Sequence, residues 1–293
     1  MNETKLIPKK SGTFKSFDGT EIYYEVRGEG EPMIFIYGIA CLMNHWHFQV
    51  EYFSRTHQVI TFDIRGHHKS GVSLDEKNNS IEAIAKDMPF LFKELEIQRA
   101  IFVGHSFGVP ALLKTFEQHP ELVKSMCFIN GFAKNPIKGM FGLDVIEPFF
   151  YMVKDGYKKN PKLIDKIWKV AVDNPITALS MGIVGGFNLN VTQFKDVEIY
   201  VRGVANMPLS VFISFFEDMM NFKGDYIARK INVPTLIVSG DKDMVTPQHF
   251  QHELHAEIKH SELTIVPYGS HCTQLDFPEF VNLRLEKFLS ENN

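Results

Sequence analysis

The chain has 293 residues, 44% of them hydrophobic and 23% charged, with a formal net charge of -4. That length suits one large α/β domain carrying an insertion, and the near-average composition excludes a disordered or fibrous chain. The charge is weak and no run of Lys and Arg is interleaved with aromatics, which argues against a nucleic-acid partner.

Cys41, Cys127 and Cys272 are too scattered for a disulfide framework and none has CxxC spacing, so a reducing, cytoplasmic setting is expected. The N-terminal MNETKLIPKKSG is charged and has no apolar core of signal-peptide length. The most apolar later stretch, Met207 to Phe216, is half of the about 20 residues that a spanning helix needs, so no membrane span is expected.

Taken in chain order, TFKSFD and EIYYEVRG flank Asp18-Gly19 and read as an antiparallel hairpin at a sheet edge. Short apolar runs follow, each stopping abruptly at a polar residue or glycine. They are MIFIYG from Met33, VITFD from Val59, AIFVGHS from Ala100, SMCFING from Ser125, TLIVSGD from Thr235 and ELTIVPYG from Glu262. Uniformly apolar runs of this length read as strands buried on both faces. Between them lie helical spacings: Trp46, Val50 and Phe53; Ile81, Ile84, Met88 and Leu91; Leu112, Leu113 and Phe116. The alternation predicts a parallel sheet covered by helices.

The rhythm breaks between about Phe132 and Asp225, where helical, Met- and Phe-rich sequence takes over. The expected organisation is an α/β core of residues 1–131 and 226–293 with a helical cap inserted at 132–225. Within the cap, the glycines of MGIVGG, Met181 to Gly186, predict a turn or hinge. The last helix is announced by Asp276 and Glu279 around Pro278, a capping pattern, with Phe277, Val281, Leu285 and Phe288 as its apolar face.

Gly104-His105-Ser106-Phe107-Gly108 follows an apolar strand and precedes a helical segment, the context a GxSxG nucleophile elbow requires. A serine hydroxyl is a weak nucleophile, so a histidine must take its proton and a carboxylate must hold that histidine in the right tautomer. One later strand ends in Asp241-Lys242-Asp243 and the next in Ser270-His271. In a parallel sheet these positions fall on one edge, in the order Ser, Asp, His. Position after the last strand selects His271 among the histidines, while spacing leaves both aspartates open.

With the elbow, the segments GDKDMVTP and YGSHCTQLDFPEF resemble those of the α/β-hydrolase superfamily over nearly the whole chain except the cap. The resemblance implies an α/β-hydrolase fold: a mostly parallel sheet of about eight strands, helices on both faces and an inserted helical cap. It implies Asp243 as the acid, leaving Asp241 to form a turn. It also implies an oxyanion hole of two backbone amides, Phe107 after the nucleophile and Ile39 after Tyr37-Gly38, where the family more often has His-Gly. Asp63 to Ser70 resembles the family's DxRGxGxS loop with His68 in place of the second glycine, a loop read as structural, with Arg65 tying down backbone. Haloalkane dehalogenases and epoxide hydrolases of the superfamily carry aspartate at the elbow, so Ser106 argues against both.

The expectation is an esterase-like serine hydrolase in which Ser106 attacks, His271 serves as base and then acid, and Asp243 orients His271, with no cofactor. A thioesterase, lactonase, carbon-carbon bond hydrolase or acyltransferase would use the same residues, and a slow-turnover ligand receptor would keep the same pocket. His45, His47, His67 and His68 are spaced poorly for a metal, because helical residues two apart point to different sides, so no metal is expected. Cys272, beside His271, reads as a small buried residue. Of the cap residues Phe141, Phe149, Phe150, Met152, Met181, Phe187, Phe212, Phe215, Phe216, Met219 and Met220, most should pack helices together and some should line a pocket for a small hydrophobic or acyl-bearing substrate. Nothing in the sequence sets an oligomeric state.

Overall fold

The computed structural model describes residues 9–138, 140–172 and 186–292. The hairpin forms as expected, from β1 (Lys9–Lys15) and β2 (Glu21–Arg27), with Gly19 at φ 81° in the turn. The strands β3 (Glu31–Ile36), β4 (His57–Phe62), β5 (Ala100–His105), β6 (Val123–Ile129), β7 (Thr235–Gly240) and β8 (Ser261–Val266) complete an 8-stranded sheet in the order β1-β2-β4-β3-β5-β6-β7-β8. All pairings from β4 to β8 are parallel, while β1 and β2 pair antiparallel.

Helices α1 (His47–Phe53), α2 (Ile81–Leu95) and α3 (Gly108–Gln118) separate the first strands. Helices α4 (Ile146–Lys159), α5 (Pro161–Val172), α6 (Phe194–Asn206) and α7 (Leu209–Asn221) lie between β6 and β7, and α8 (His249–Glu257) and α9 (Pro278–Glu291) follow. Packing pairs α2 with α3 and α1 with α9, so that helices cover both faces of the sheet. Every residue of β5 and β7 is buried, as their apolar runs require. No single helix among the described residues is long and apolar enough to cross a membrane.

The ends of the helical segment between β6 and β7 meet. Lys134 bridges Lys223, and the Gly224 amide donates to the Ala133 carbonyl at 2.6 Å, so this segment leaves and re-enters the sheet region at one place. The glycine-rich stretch expected to be a hinge, Met181 to Gly186, lies outside the described residues except for Gly186.

Two local expectations fail for physical reasons. β8 is not buried on both faces, because it is the outer strand, paired with β7 alone, and most of its residues stay partly exposed. The capping pattern at Asp276 does not form either. Residues Thr273–Asp276 make a helical turn of their own, Phe277 precedes α9, and the Asp276 carboxylate turns inward to accept from the Ser270 amide and hydroxyl and from Thr192. The apolar face of α9 forms as read, through Val281, Leu285 and Phe288.

Arg65 is fully buried and meets two carboxylates more than backbone, which corrects the expected role. Its Nε and Nη2 donate to Asp87 at 2.9 and 2.5 Å, and Nη1 donates to Asp18 at 2.9 Å and to the Asn78 carbonyl at 3.1 Å. The network joins the hairpin, the loop after β4 and α2. Asp87→Ala removes one partner of a buried pair and should cost about 3–5 kcal/mol, read as a lower urea midpoint. Burial alone would raise the Asp18 carboxyl, but hydrogen bonds from Arg65, Thr20 and Ser73 outweigh it and hold the group below its ordinary 3.8. A carboxyl lowered in this way adds stability above its unfolded value and loses it as pH falls through the folded one. Asp18→Asn should therefore flatten the decline of the thermal midpoint below about pH 4; an acid limb identical to wild type would refute this.

Candidate active site

β5 ends at His105, Ser106 adopts φ 52°, and α3 begins at Gly108, so the chain reverses from strand to helix within two residues. The Ser106 amide donates to the Ile129 carbonyl at 3.0 Å, which pins the turn to β6. A Cβ on Gly108 would lie 2.3 Å from the Ile36 carbonyl oxygen, and one on Gly104 would lie 2.8 Å from Leu112 Cδ1. At Gly108 the backbone of β3 passes too close for any side chain, whereas at Gly104 the crowding comes first from the Leu112 side chain and then from the Gly108 backbone at 3.1 Å.

The structure brings Ser106, His271 and Asp243 together. His271 Nε2 is 2.9 Å from Ser106 Oγ, and its Nδ1 is 2.8 Å from Asp243 Oδ2. Asp243 is itself held by the amides of Val245 and Thr246 at 2.8 and 2.9 Å on Oδ1 and by the Thr246 hydroxyl on Oδ2. A carboxylate so fixed accepts a hydrogen bond from the Nδ1–H group and orients Nε2 toward the serine. Asp241 stands apart and accepts from the Tyr268 amide at 2.6 Å, a turn contact.

Two positioning residues were not read from the sequence. Asn130, at φ 48° just past β6, donates from Nδ2 to the His271 carbonyl at 2.7 Å and the Ser270 carbonyl at 2.9 Å, and accepts from the Gly240 amide at 2.8 Å. It ties the ends of β6, β7 and β8 together. The available signal was a polar residue closing the SMCFING run at the same sheet edge. Gly186, in the inserted segment, accepts from the His271 amide at 2.8 Å, and a Cβ there would lie 2.6 Å from His271 Cβ. Only long-range packing reveals that contact.

The amides of Ile39 and Phe107 have no acceptor among the described residues, and Ile39 lines the cavity above Ser106. The loop carrying Ile39 is held on several sides. Tyr37 accepts from the Ile64 amide at 2.9 Å and donates to Asp63 at 3.2 Å, and the Ala40 amide donates to His67 at 3.2 Å. His68, standing where the loop pattern has glycine, adopts φ 44° and so keeps the left-handed turn, with its ring nitrogen 2.7 Å from the Cys41 carbonyl.

A cavity of about 380 Å³ opens over Ser106 and His271. Among the described residues its lining holds no Asp, Glu, Lys or Arg. Phe141, Phe212, Phe216 and Met219 line it, whereas Phe150, Phe187, Phe215 and Met220 are buried packing and Phe149 and Met152 are exposed. Met181 lies outside the described residues. His47, His67 and His68 are each bonded to backbone and form no set with His45, but the fold places His45 beside Cys41 and His105, with ligating atoms within 4.8 Å of one another. Cys272 is buried, which pushes its thiol well above the ordinary value.

A family model described as α/β hydrolase fold matches residues 31–159. Epoxide hydrolase 1 of Caenorhabditis elegans is 24% identical over 279 residues, 92% of this chain and 67% of its own. Among solved structures, a bromoperoxidase from Bacillus anthracis matches with TM-score 0.76 at 21% identity, over 96% of this chain and 100% of that one. Est816, described as an N-acyl homoserine lactone degrading enzyme, matches with TM-score 0.72 at 23% identity, over 94% and 100% of the two chains.

Gly108→Ala tests the elbow. The added methyl group meets rigid backbone at Ile36, so unfolding experiments should show a loss of about 1–3 kcal/mol; an unchanged midpoint would mean that the turn relaxes freely.

Proposed function

We propose that the chain is a serine hydrolase of the α/β-hydrolase superfamily, cleaving carboxylic esters, or related acyl bonds, of small hydrophobic substrates, a reading supported by the family model over residues 31–159 and by the shared fold. The observation that carries this reading is the unbroken run of hydrogen bonds from Asp243 through His271 to Ser106 at a cavity whose lining, among the described residues, holds no Asp, Glu, Lys or Arg.

Ser106 Oγ attacks the carbonyl carbon as His271 Nε2 takes the hydroxyl proton, and Asp243 stabilises the imidazolium that results. Negative charge on the carbonyl oxygen is received by the amides of Ile39 and Phe107, whose N–H groups have no acceptor among the described residues. His271 then returns its proton to the departing alcohol. Water, activated by the same histidine, releases the acid from Ser106.

The inserted helical segment serves as the cap. It supplies much of the apolar lining, and the cavity of about 380 Å³ is within the range of about 300–1,000 Å³ typical of small-molecule sites. With Ser106 at the elbow, the chemistry is acyl transfer to a hydroxyl. The fold by itself selects no substrate.

A fluorophosphonate probe should label the protein on Ser106. Ser106→Ala should abolish labelling and lower ester turnover by at least about a thousandfold; no labelling of folded wild-type protein would refute the assignment. Across a panel of aryl esters, thioesters and lactones, longer acyl chains should be preferred to acetyl.

A further inference from the structure

Cys41, His45 and His105 all line the cavity beside Ser106 and are all buried, yet the proposed chemistry uses none of them. His105 is oriented as a metal-binding histidine is. Its Nε2 lies 2.8 Å from the His271 carbonyl, so that nitrogen carries the proton, and Nδ1 is left bare with no partner among the described residues. Neither ring nitrogen of His45 has a hydrogen-bond partner among the described residues, although the ring stacks on Tyr200 with centroids 5.7 Å apart. A Cβ built on Gly38 would lie 3.3 Å from His105 Nδ1 and 3.4 Å from Cys41 Sγ, so these two donors face one small space. Leaving a buried polar atom unbonded costs about 1–3 kcal/mol, which makes such a gathering unusual.

We propose that Cys41, His45 and His105 form a site for a borderline-soft divalent metal ion of the Zn²⁺ or Cd²⁺ class, and that metal bound there inhibits hydrolysis. A thiolate with two imidazoles favours such ions over Mg²⁺ or Ca²⁺. The donor atoms already lie within 4.8 Å of one another, and bonds of about 2.0–2.1 Å to nitrogen and 2.3 Å to sulfur would draw them slightly closer around one ion. On binding, the Cys41 S–H bond breaks, its proton passes to solvent and its electron pair forms the bond to the ion.

Inhibition rests on the hydrolase reading. The His105 and His271 ring centroids are 4.8 Å apart, so a dication on His105 disfavours the imidazolium that His271 must become.

The site is tested by titrating the full chain with Cd²⁺, following calorimetric stoichiometry and the ultraviolet thiolate-to-cadmium absorption. One ion per chain with that absorption is expected, in Ser106→Ala as well as in wild type. Cys41→Ser should lose the absorption, and His45→Phe should weaken affinity at least about tenfold. Zn²⁺ should inhibit ester hydrolysis in proportion to occupancy and release it on chelation. Absence of the absorption in folded wild-type protein would overturn the proposal, as would binding unchanged in both variants, which would point to exposed histidines such as His249 and His252. Full occupancy with undiminished turnover would overturn the inhibitory role. Cadmium binding of the expected kind in a protein without esterase activity would support the site and count against the hydrolase reading alone.

Discussion

The architecture of the site follows from one backbone constraint, a serine held at φ 52° between a buried strand and a helix. A non-glycine residue in that region costs on the order of 1–3 kcal/mol and persists only where its surroundings leave no alternative. Here β5 is enclosed by β3 and β6, the Ser106 amide is bonded to β6, and α3 starts against the β3 backbone. Relaxing the turn would mean separating β5, buried at every residue, from the largely buried β3 and β6. The sheet thus holds Ser106 Oγ clear of the backbone and facing the cavity.

The same sheet edge gathers the other two residues, and hydrogen bonds fix them more finely than strand ends could. Asn130 fastens the chain on either side of His271 to the end of β7, while Thr246 and two amides orient Asp243. The inserted segment takes part through Gly186, which touches His271 directly. Movement of that segment would therefore be felt at the histidine as well as at the cavity wall. The Arg65 cluster is held by paired charges rather than by apolar contact, and it supports the loop that carries His67 and His68 under Cys41 and Ala40.

Much of this was legible in the chain because its signals are local. A buried parallel strand is an apolar run, a hairpin is a turn between alternating segments, and an elbow is two glycines about a serine. Readings failed where a neighbour distant in sequence decided the outcome. β8 has the apolar character of a core strand but occupies an edge, and Asp276 has the spacing of a cap but serves Ser270 and Thr192 instead. His68 keeps a glycine's conformation with its ring against the Cys41 carbonyl, which no residue type announces.

Sequence alone gave the strand order at the sheet edge and singled out Ser106 and His271 as candidates, since each signal depends on residues adjacent in the chain. Family resemblance singled out Asp243. Tertiary structure decided what depends on residues far apart. It showed Asp241 bonded to a turn, Asn130 and Gly186 supporting His271, and Cys41, His45 and His105 sharing one buried space. The physical reason is reach: periodicity and turn chemistry extend over a few residues, whereas contacts across a sheet edge are set only once the whole sheet has closed.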